Sequence, residues 1–318
     1  MKWLKNMSFN YFLEATESPY PAAWFRISAA SFILFNLFVL RNSFSDLYGS
    51  TGFMNWEATR PLIFKYSITA ERIFSYLKQF GISQAQVVNG LYYSFVICSA
   101  SLVLGLFTRV AAISAWLISF ILAYTGKGTF YGMPIFIHVS LFYLIIFPSN
   151  AVLSLDARFR KGVRKEKVRS FTRKLLQIHM AVVYASSGLE KVVGEQWWNG
   201  EAIWRSLNMS PYMQYDMTWM AYYPFVPLLI GWGTLVLEIG YPILIWVPRV
   251  RTIWMALTIL LHIGIVLFMG LQLFGLIMII LNLGAFGPEV YNDIKGMMNR
   301  KRGLRPKPAE ADEMTVPG

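Results

Sequence analysis

The sequence predicts an all-α protein: a polytopic membrane bundle of about eight transmembrane helices, with the N and C termini cytosolic. Three observations carry this. Hydrophobic residues make up 56% of the 318 residues and charged residues 14%, more apolar and much less charged than a soluble domain. Apolar runs of membrane-crossing length recur along the chain, and many of the aromatic residues, 16% of the total, stand at their ends as an interfacial belt requires. The formal net charge of +12 lies mostly in two basic blocks beside apolar runs. That pattern reads as positive-inside signal and contact with anionic membrane lipids, not as a nucleic-acid surface.

Taken in order, residues 1–20 set Trp3, Phe9, Tyr11 and Phe12 on a polar stretch and read as an interfacial segment. Lys2, Lys5, Glu14 and Glu17 make a cleavable signal a poor reading, because the first long apolar run starts only near Ala22. The transmembrane region spans 21–287. Its first helix is expected over 22–40, with Arg26 near its start able to snorkel or pair with a carboxylate. A polar connection, 41–88, carries one amphipathic helical pattern over 67–80 that is too short and too charged to span. Further spans are expected at 89–107, 110–124, 132–147, 175–189 and 222–246, and 252–286 divides into two near Gly270. Residues 156–174 hold nine Lys or Arg against two acids, and 288–318 reads as a basic, disordered tail. With eight spans the basic loop, Arg109, the PRVR turn and the tail share the cytosolic side, and the long loops 41–88 and 191–221 lie outside.

Polar groups inside apolar spans are costly and need an internal partner or a functional role. The stretch 174–205 concentrates them: Gln177, His179, Tyr184, Ser186, Ser187, Glu190 and Lys191, then Trp197, Trp198 and Gly200. On a helix, His179, Ser186 and Glu190 share one face, whereas Gln177, Tyr184, Gly188 and Lys191 form a second stripe. Lys191 is at the outer end and His179 about 18 Å deeper. Glu238 and His262 reach similar depth on later spans and are candidates for a relay or positioning pair; His138 lies in the outer half of the fourth span. Each has a plainer reading. His138 and His179 would serve as hydrogen-bonded core groups, Glu238 with His262 as a structural pair, and Lys191 as a snorkelling cation. The functional alternative makes Lys191 a base beneath the Trp-rich loop, with Trp197 and Trp198 either interfacial anchors or the roof of a site for a flat, lipid-soluble ligand.

One cysteine, Cys98, excludes an internal disulfide framework, and three scattered histidines give no metal site. Nucleotide-loop, zinc-protease and nucleophile-elbow motifs are absent. No internal repeat or matched pair of broken helices supports a transporter.

The segment GLEKVVGEQWWNG resembles the glycine–lysine–tryptophan–glycine signature of the HTTM, or vitamin K-dependent gamma-carboxylase-like, membrane family. WFRISAASFILFNLFVLR with DLYGSTG, then LVLEIGYPILI, then HIGIVLFMGLQLFGLIMI, are similar to further pieces of that family in the same order. The resemblance implies a helical membrane domain over roughly residues 20–287. In the animal carboxylase the lysine after the glycine acts as base on a reduced quinone, so it implies Lys191 as base, a quinone-like lipid as cofactor, and Glu238 and His262 as polar positions of later helices. The chain departs from the carboxylase in having Glu190 where that enzyme has a second lysine, and a short basic tail in place of a large luminal region. Glutamate carboxylation is therefore not carried over. In size and plan the chain is also similar to stand-alone bacterial members required to mature an exported peptide toxin in sporulating bacilli, which implies an exported peptide or another membrane or secreted protein as partner. The readings left standing are an outward-facing embedded pocket with catalytic candidates Lys191, His262, Glu238 and His179 and ligand-binding candidates Trp197, Trp198, Tyr184 and His138, or a non-enzymatic accessory, immunity or secretion factor acting through partner binding.

Overall fold

The computed structural model describes residues 15–53, 55–126, 132–160 and 167–301. The N-terminal interfacial segment up to residue 14, the centre of the basic loop and the tail beyond 301 lie outside the described residues. Eight helices organise the rest: α1 Tyr20–Leu40, α2 Gln84–Leu104, α3 Thr108–Thr125, α4 Gly132–Ile146, α5 Phe171–Val193, α6 Phe225–Leu244, α7 Pro248–Met269 and α8 Gln272–Lys301. Among the described residues the only sheet is a two-residue antiparallel ladder, β1 Thr16–Glu17 with β2 Val168–Arg169. The all-α bundle expected from the sequence is what forms.

Six of these helices (α1, α2, α3, α6, α7 and α8) are long and apolar enough to cross a membrane. The other two depart for opposite reasons. Helix α4 is apolar but only 15 residues long, about 22 Å against a hydrocarbon core of about 30 Å. Helix α5 has 23 residues, about 34 Å, but carries Arg173, Lys174, Glu190 and Lys191. Two of these charges pair across the bundle, Arg173 with Glu17 and Glu289 and Lys191 with Glu238.

Helix α8 is the spine. It packs against α1 and α4 on one side and against α5 and α7 on the other, joining an α1–α4 half to an α5–α7 half. A continuous core follows, from Phe25, Ile33 and Leu37 of α1 through Leu141 and Leu144 of α4 to Ile277, Leu281 and Phe286 of α8. Lipid-facing helices keep apolar residues outside as well, so α7 buries little of itself and exposes Ile253, Leu260 and Leu267.

Two expectations are revised. Arg26 neither snorkels nor pairs with an acid. It is fully buried and donates to the carbonyls of Leu102, Val103 (2.9 Å), Ser149 (3.0 Å) and Leu153 (2.5 Å). Two of those carbonyls belong to the last turns of α2, where a helix has no intrahelical donors left, so the guanidinium caps α2 from a neighbouring helix. Residues 288–301, expected as the start of a disordered tail, are helical instead, because α8 runs through Pro288 to Lys301. Glu289 and Asp293, one turn apart, reach Arg173 of α5 (2.7 Å) and Arg251 of α7 (3.3 Å). These tertiary ion pairs hold the helix on past a residue that lacks the amide to continue it.

Loops gather at two ends. At one, Ala70 N donates to Thr125 Oγ1 of α3 (2.9 Å), and the side chain of Gln214 lies against Gly270, the turn between α7 and α8. At the other, Ser170 N bonds the Ala15 carbonyl (2.9 Å) and Arg173 bridges Glu17 and Glu289.

Candidate functional site

The second stripe of α5 is the one that meets the bundle. Gln177, Tyr184 and Gly188 are buried, and His179 and Glu190 are not. Gly188 sets the geometry. A Cβ there would stand 2.9 Å from Ile239 Cγ1, 3.1 Å from Ile239 N and 3.2 Å from Glu238 Cβ, so only glycine lets α5 and α6 come this close. The close approach delivers Glu238, 6% exposed, to Lys191 one turn further along α5.

Lys191 Nζ donates to Glu238 Oε2 at 2.8 Å and to Ser187 Oγ at 2.5 Å. It lies 5.2 Å from the centre of the Trp197 ring, within cation–π range. The Trp-rich stretch expected as a loop contains two short helices, Glu195–Trp198 and Glu201–Asn208. Trp198 Nε1 caps the Val192 carbonyl at the end of α5 (2.8 Å), and Trp232 Nε1 of α6 donates to the Trp198 carbonyl (3.0 Å). Gly200 joins the two short helices at φ 82°, where a Cβ would meet Leu228 N at 2.7 Å. Each residue of the glycine–lysine–tryptophan–glycine segment thus has a physical reason. Gly188 permits the helix contact, Lys191 carries the charge, Trp197 roofs it and Gly200 makes the turn.

Deeper on the same interface is a second polar cluster. The Tyr184 and Tyr241 rings stack with centroids 4.0 Å apart. Asn282 of α8 donates through Nδ2 to the Met278 carbonyl (2.8 Å) and to the Tyr184 oxygen (2.9 Å), while its Oδ1 accepts the Tyr241 hydroxyl (2.7 Å). The Met278 carbonyl can only accept, which fixes the orientation of the amide. Tyr184 therefore sends its own proton to His262 Nε2 at 2.7 Å. His262 then carries its proton on Nδ1, which is buried and has no hydrogen-bond partner among the described residues.

Lys191, Glu238, Tyr184 and His262 come together along one seam of α5, α6, α7 and α8, but not as the sequence paired them. No hydrogen bond joins Glu238 to His262 among the described residues. Glu238 belongs to Lys191 and His262 to Tyr184, because Tyr184 and Tyr241 fill the layer between them. His179 and His138 lie elsewhere. His179 Nδ1 is 3.0 Å from the Tyr143 hydroxyl of α4, and His138 Nδ1 is 2.9 Å from Ser119 Oγ of α3, beside the Trp116 ring. Both are half-buried groups hydrogen-bonded to a neighbouring helix. Sequence reasoning missed Tyr241 and Asn282. A lone amide in the apolar run from Gly275 to Gly284 was the available signal for Asn282. Among the described residues no group of three or more His, Cys, Asp or Glu is placed to hold a metal ion.

A helical bundle with several membrane-crossing helices and paired charges buried between them defines a multi-pass membrane protein. Residues 53–288 match the HTTM domain family, most of the chain including the whole Lys191 seam, and the protein belongs to that family. Comparisons with curated proteins and with solved structures found no match.

Proposed function

We propose that the outer part of the α5–α6 seam acts on a lipid-soluble, quinone-like molecule, or on an exported peptide delivered at the membrane surface, with Lys191 as base. The observation that carries this is the Lys191–Glu238 pair under Trp197, a charged pair half sheltered at a helix end next to exposed Val193 and Trp198. Passage of the proton from Lys191 Nζ to Glu238 Oε2 along their 2.8 Å hydrogen bond leaves a neutral amine beside a neutral acid. The amine then takes a proton from an acidic O–H or C–H presented to it, becoming an ammonium again and leaving the anion paired with it. Glu238 is the proton acceptor in the first step, and Ser187 orients Nζ in both. The residues fit a ring with oxygen substituents: a cation for one oxygen and an indole face for the ring. When bound, such a group would supply redox chemistry; the chain supplies the charge, the proton path and the shelter from water.

The family membership favours this reading, and the basic blocks favour an orientation with the termini cytosolic and Lys191 facing outward, in what we take to be a bacterial plasma membrane. The test is lipid extraction and mass spectrometry on purified protein. The parent is expected to carry a quinone-like lipid at near-stoichiometric level, and Lys191→Ala and Glu238→Gln to lose at least nine-tenths of it. Equal lipid content in all three would overturn the reading.

One observation favours a second reading. Lys191, Glu238, Tyr184, Tyr241 and Asn282 all satisfy one another inside the bundle, as polar helix glue does. A non-enzymatic membrane factor acting through a partner would then tolerate Lys191→Met with Glu238→Leu and fail instead on changes to the loops.

A further inference from the structure

We propose that the open groove between the short helix Ala70–Leu77 and α2 is a binding site for one glycerophospholipid of the surrounding bilayer, with an acyl chain in the groove and the phosphate at Lys78. It goes beyond the Lys191 reading and shares none of its residues. The groove measures about 450 Å³, and Ile73, Leu77, Val87, Leu91 and Ile118 supply its apolar walls. Gly90 of α2 makes a notch in it, because a Cβ there would meet no atom within 4 Å. Gly90 and Ser94 are exposed and lie roughly 9 and 15 Å along α2 from its first residue, on a helix long and apolar enough to cross a membrane. At that depth the surrounding medium is hydrocarbon, so a lipid chain is what fills a concave apolar surface open to it. Tyr76 and Phe80, on and just after the short helix, are exposed, as aromatic residues at headgroup level are.

The order of the polar groups commits the groove to a phospholipid. Gln86 lines the end nearest the start of α2. Its Oε1 accepts from Ser83 N at 2.7 Å, the return bond of the capping box that opens α2. That bond fixes the side-chain amide and leaves both Nε2 hydrogens free of any partner among the described residues. Gln86 is exposed, so these donors are open to an ester carbonyl at the level of a lipid's glycerol backbone. Lys78 directly follows the lining residue Leu77 and is exposed. It forms no ion pair among the described residues, and the acid nearest in sequence, Glu71, is taken by Arg60. The cation is therefore available to a phosphate. Cation, amide donor and apolar notch follow one another toward the bilayer centre, as phosphate, ester and acyl chain do in a phospholipid. A partner transmembrane helix would fit against Gly90 and Ser94 but leave Lys78 and the Gln86 donors unused.

The test uses the full chain, with native mass spectrometry counting the lipid kept after detergent has stripped the annular shell. The probes are dioleoylphosphatidylglycerol, dioleoylglycerol, which lacks the phosphate, and the ether-linked dioleyl analogue of the phospholipid, which lacks the ester carbonyls. The parent is expected to keep one dioleoylphosphatidylglycerol saturably and to prefer it about fivefold over either of the others, the ratio that one lysine at a charged headgroup or one neutral hydrogen bond gives. Lys78→Gln is expected to lose the preference over dioleoylglycerol. Gln86→Glu keeps the capping acceptor and has no donor, so it is expected to lose the preference over the ether lipid; its added charge acts on both phospholipids alike. Gly90→Phe fills the notch and is expected to keep none of the three, and Gly90→Leu serves if that variant does not accumulate. Lys191→Ala is expected to keep the phospholipid as the parent does, so this site and the Lys191 site stand or fall separately. Equal retention by the parent and the Gly90 variant, or unchanged preferences in Lys78→Gln and Gln86→Glu, would overturn the proposal. Dissociation of a dimer by the Gly90 variant with lipid retention unchanged would overturn it too, and assign the groove to a second copy of the chain.

Discussion

Lys191 and Glu238 leave water together, and removing either strands the other. Truncation of one partner of a buried pair commonly costs about 3–5 kcal/mol, whereas replacing both with apolar residues is close to neutral. Lys191→Met and Glu238→Leu are each expected to fall toward the lower end of that range, because the Lys191 side chain keeps 21% of its exposure. The double variant should recover most of the loss, and a double-mutant cycle of unfolding in detergent measures it. Arg26 makes the complementary case. It serves four carbonyls and no carboxylate, so Arg26→Lys, with three donors and no planar fork, is expected to recover only part of what Arg26→Met loses in the same assay. At this scale the sequence exposed the right rare residues. Lys191, Glu238, Tyr184 and His262 stand out as polar atoms in apolar runs. Their partners were not legible, because periodicity gives a residue's face and depth but not which neighbouring helix supplies the facing atom. Position along the spans gave Glu238 and His262 similar depth, yet the Tyr184 and Tyr241 layer separates them and His262 lies deeper. His138 and His179 share the rarity of His262 but meet Ser119 and Tyr143 instead.

Helices are positioned by contacts that one residue can spoil. Gly188→Val is expected to force α5 off α6 and to lower the melting temperature by several degrees, with loss of the Lys191–Glu238 bond visible as a weaker effect of Glu238→Leu in that background. At the opposite end, the short helix Leu155–Phe159 offers Asp156 to the start of α3. Its carboxylate accepts from Phe107 N (2.8 Å), Thr108 N (2.9 Å) and Thr108 Oγ1 (2.7 Å). Partial burial alone would raise its pKa; these bonds, with one from Asn150, outweigh that and hold it below the ordinary value. A depressed carboxylate stabilises fully above its unfolded pKa, about 4, and the contribution disappears as pH falls through the lower folded value. Asp156→Asn is expected to flatten the acid limb of a melting-temperature profile run down from neutral pH, leaving the alkaline limb unchanged. Element boundaries in the apolar runs were legible to within a few residues, and the break at Gly270 was placed correctly. The continuation of α8 beyond Pro288 was not. Proline is a stop signal locally, and what overrides it, Arg173 and Arg251 on other helices, is invisible along the chain.

The whole molecule has two ends, and the described loops gather at them. The 62–80 region touches the end of α3, and Gln214 touches the α7–α8 turn, while the β1–β2 ladder, Arg173, Arg251 and Glu289 gather at the other. That arrangement requires an even number of crossings if all eight helices traverse the bilayer, including the short α4, which local thinning of the bilayer would accommodate. Most of the basic residues described outside the helices' apolar stretches sit at the second end, so the orientation we propose, with that end in the cytosol, is the one positive-inside bias favours. The chain has one cysteine, Cys98, so a Cys98→Ala background allows single cysteines to report sidedness. Asn42→Cys and Met209→Cys are expected to react with a membrane-impermeant maleimide on intact cells, and Phe159→Cys and Asn292→Cys only after permeabilisation. Reversal of both pairs would keep the fold and turn Lys191 to the cytosol, which removes an exported peptide from its reach and leaves the lipid-soluble ligand standing. Opposite behaviour of Asn42 and Met209 would instead mean an odd number of crossings between them. Helix α4 or α5 would then lie along the surface, and the seam that pairs Lys191 with Glu238 would have to form at the interface and not within the bilayer.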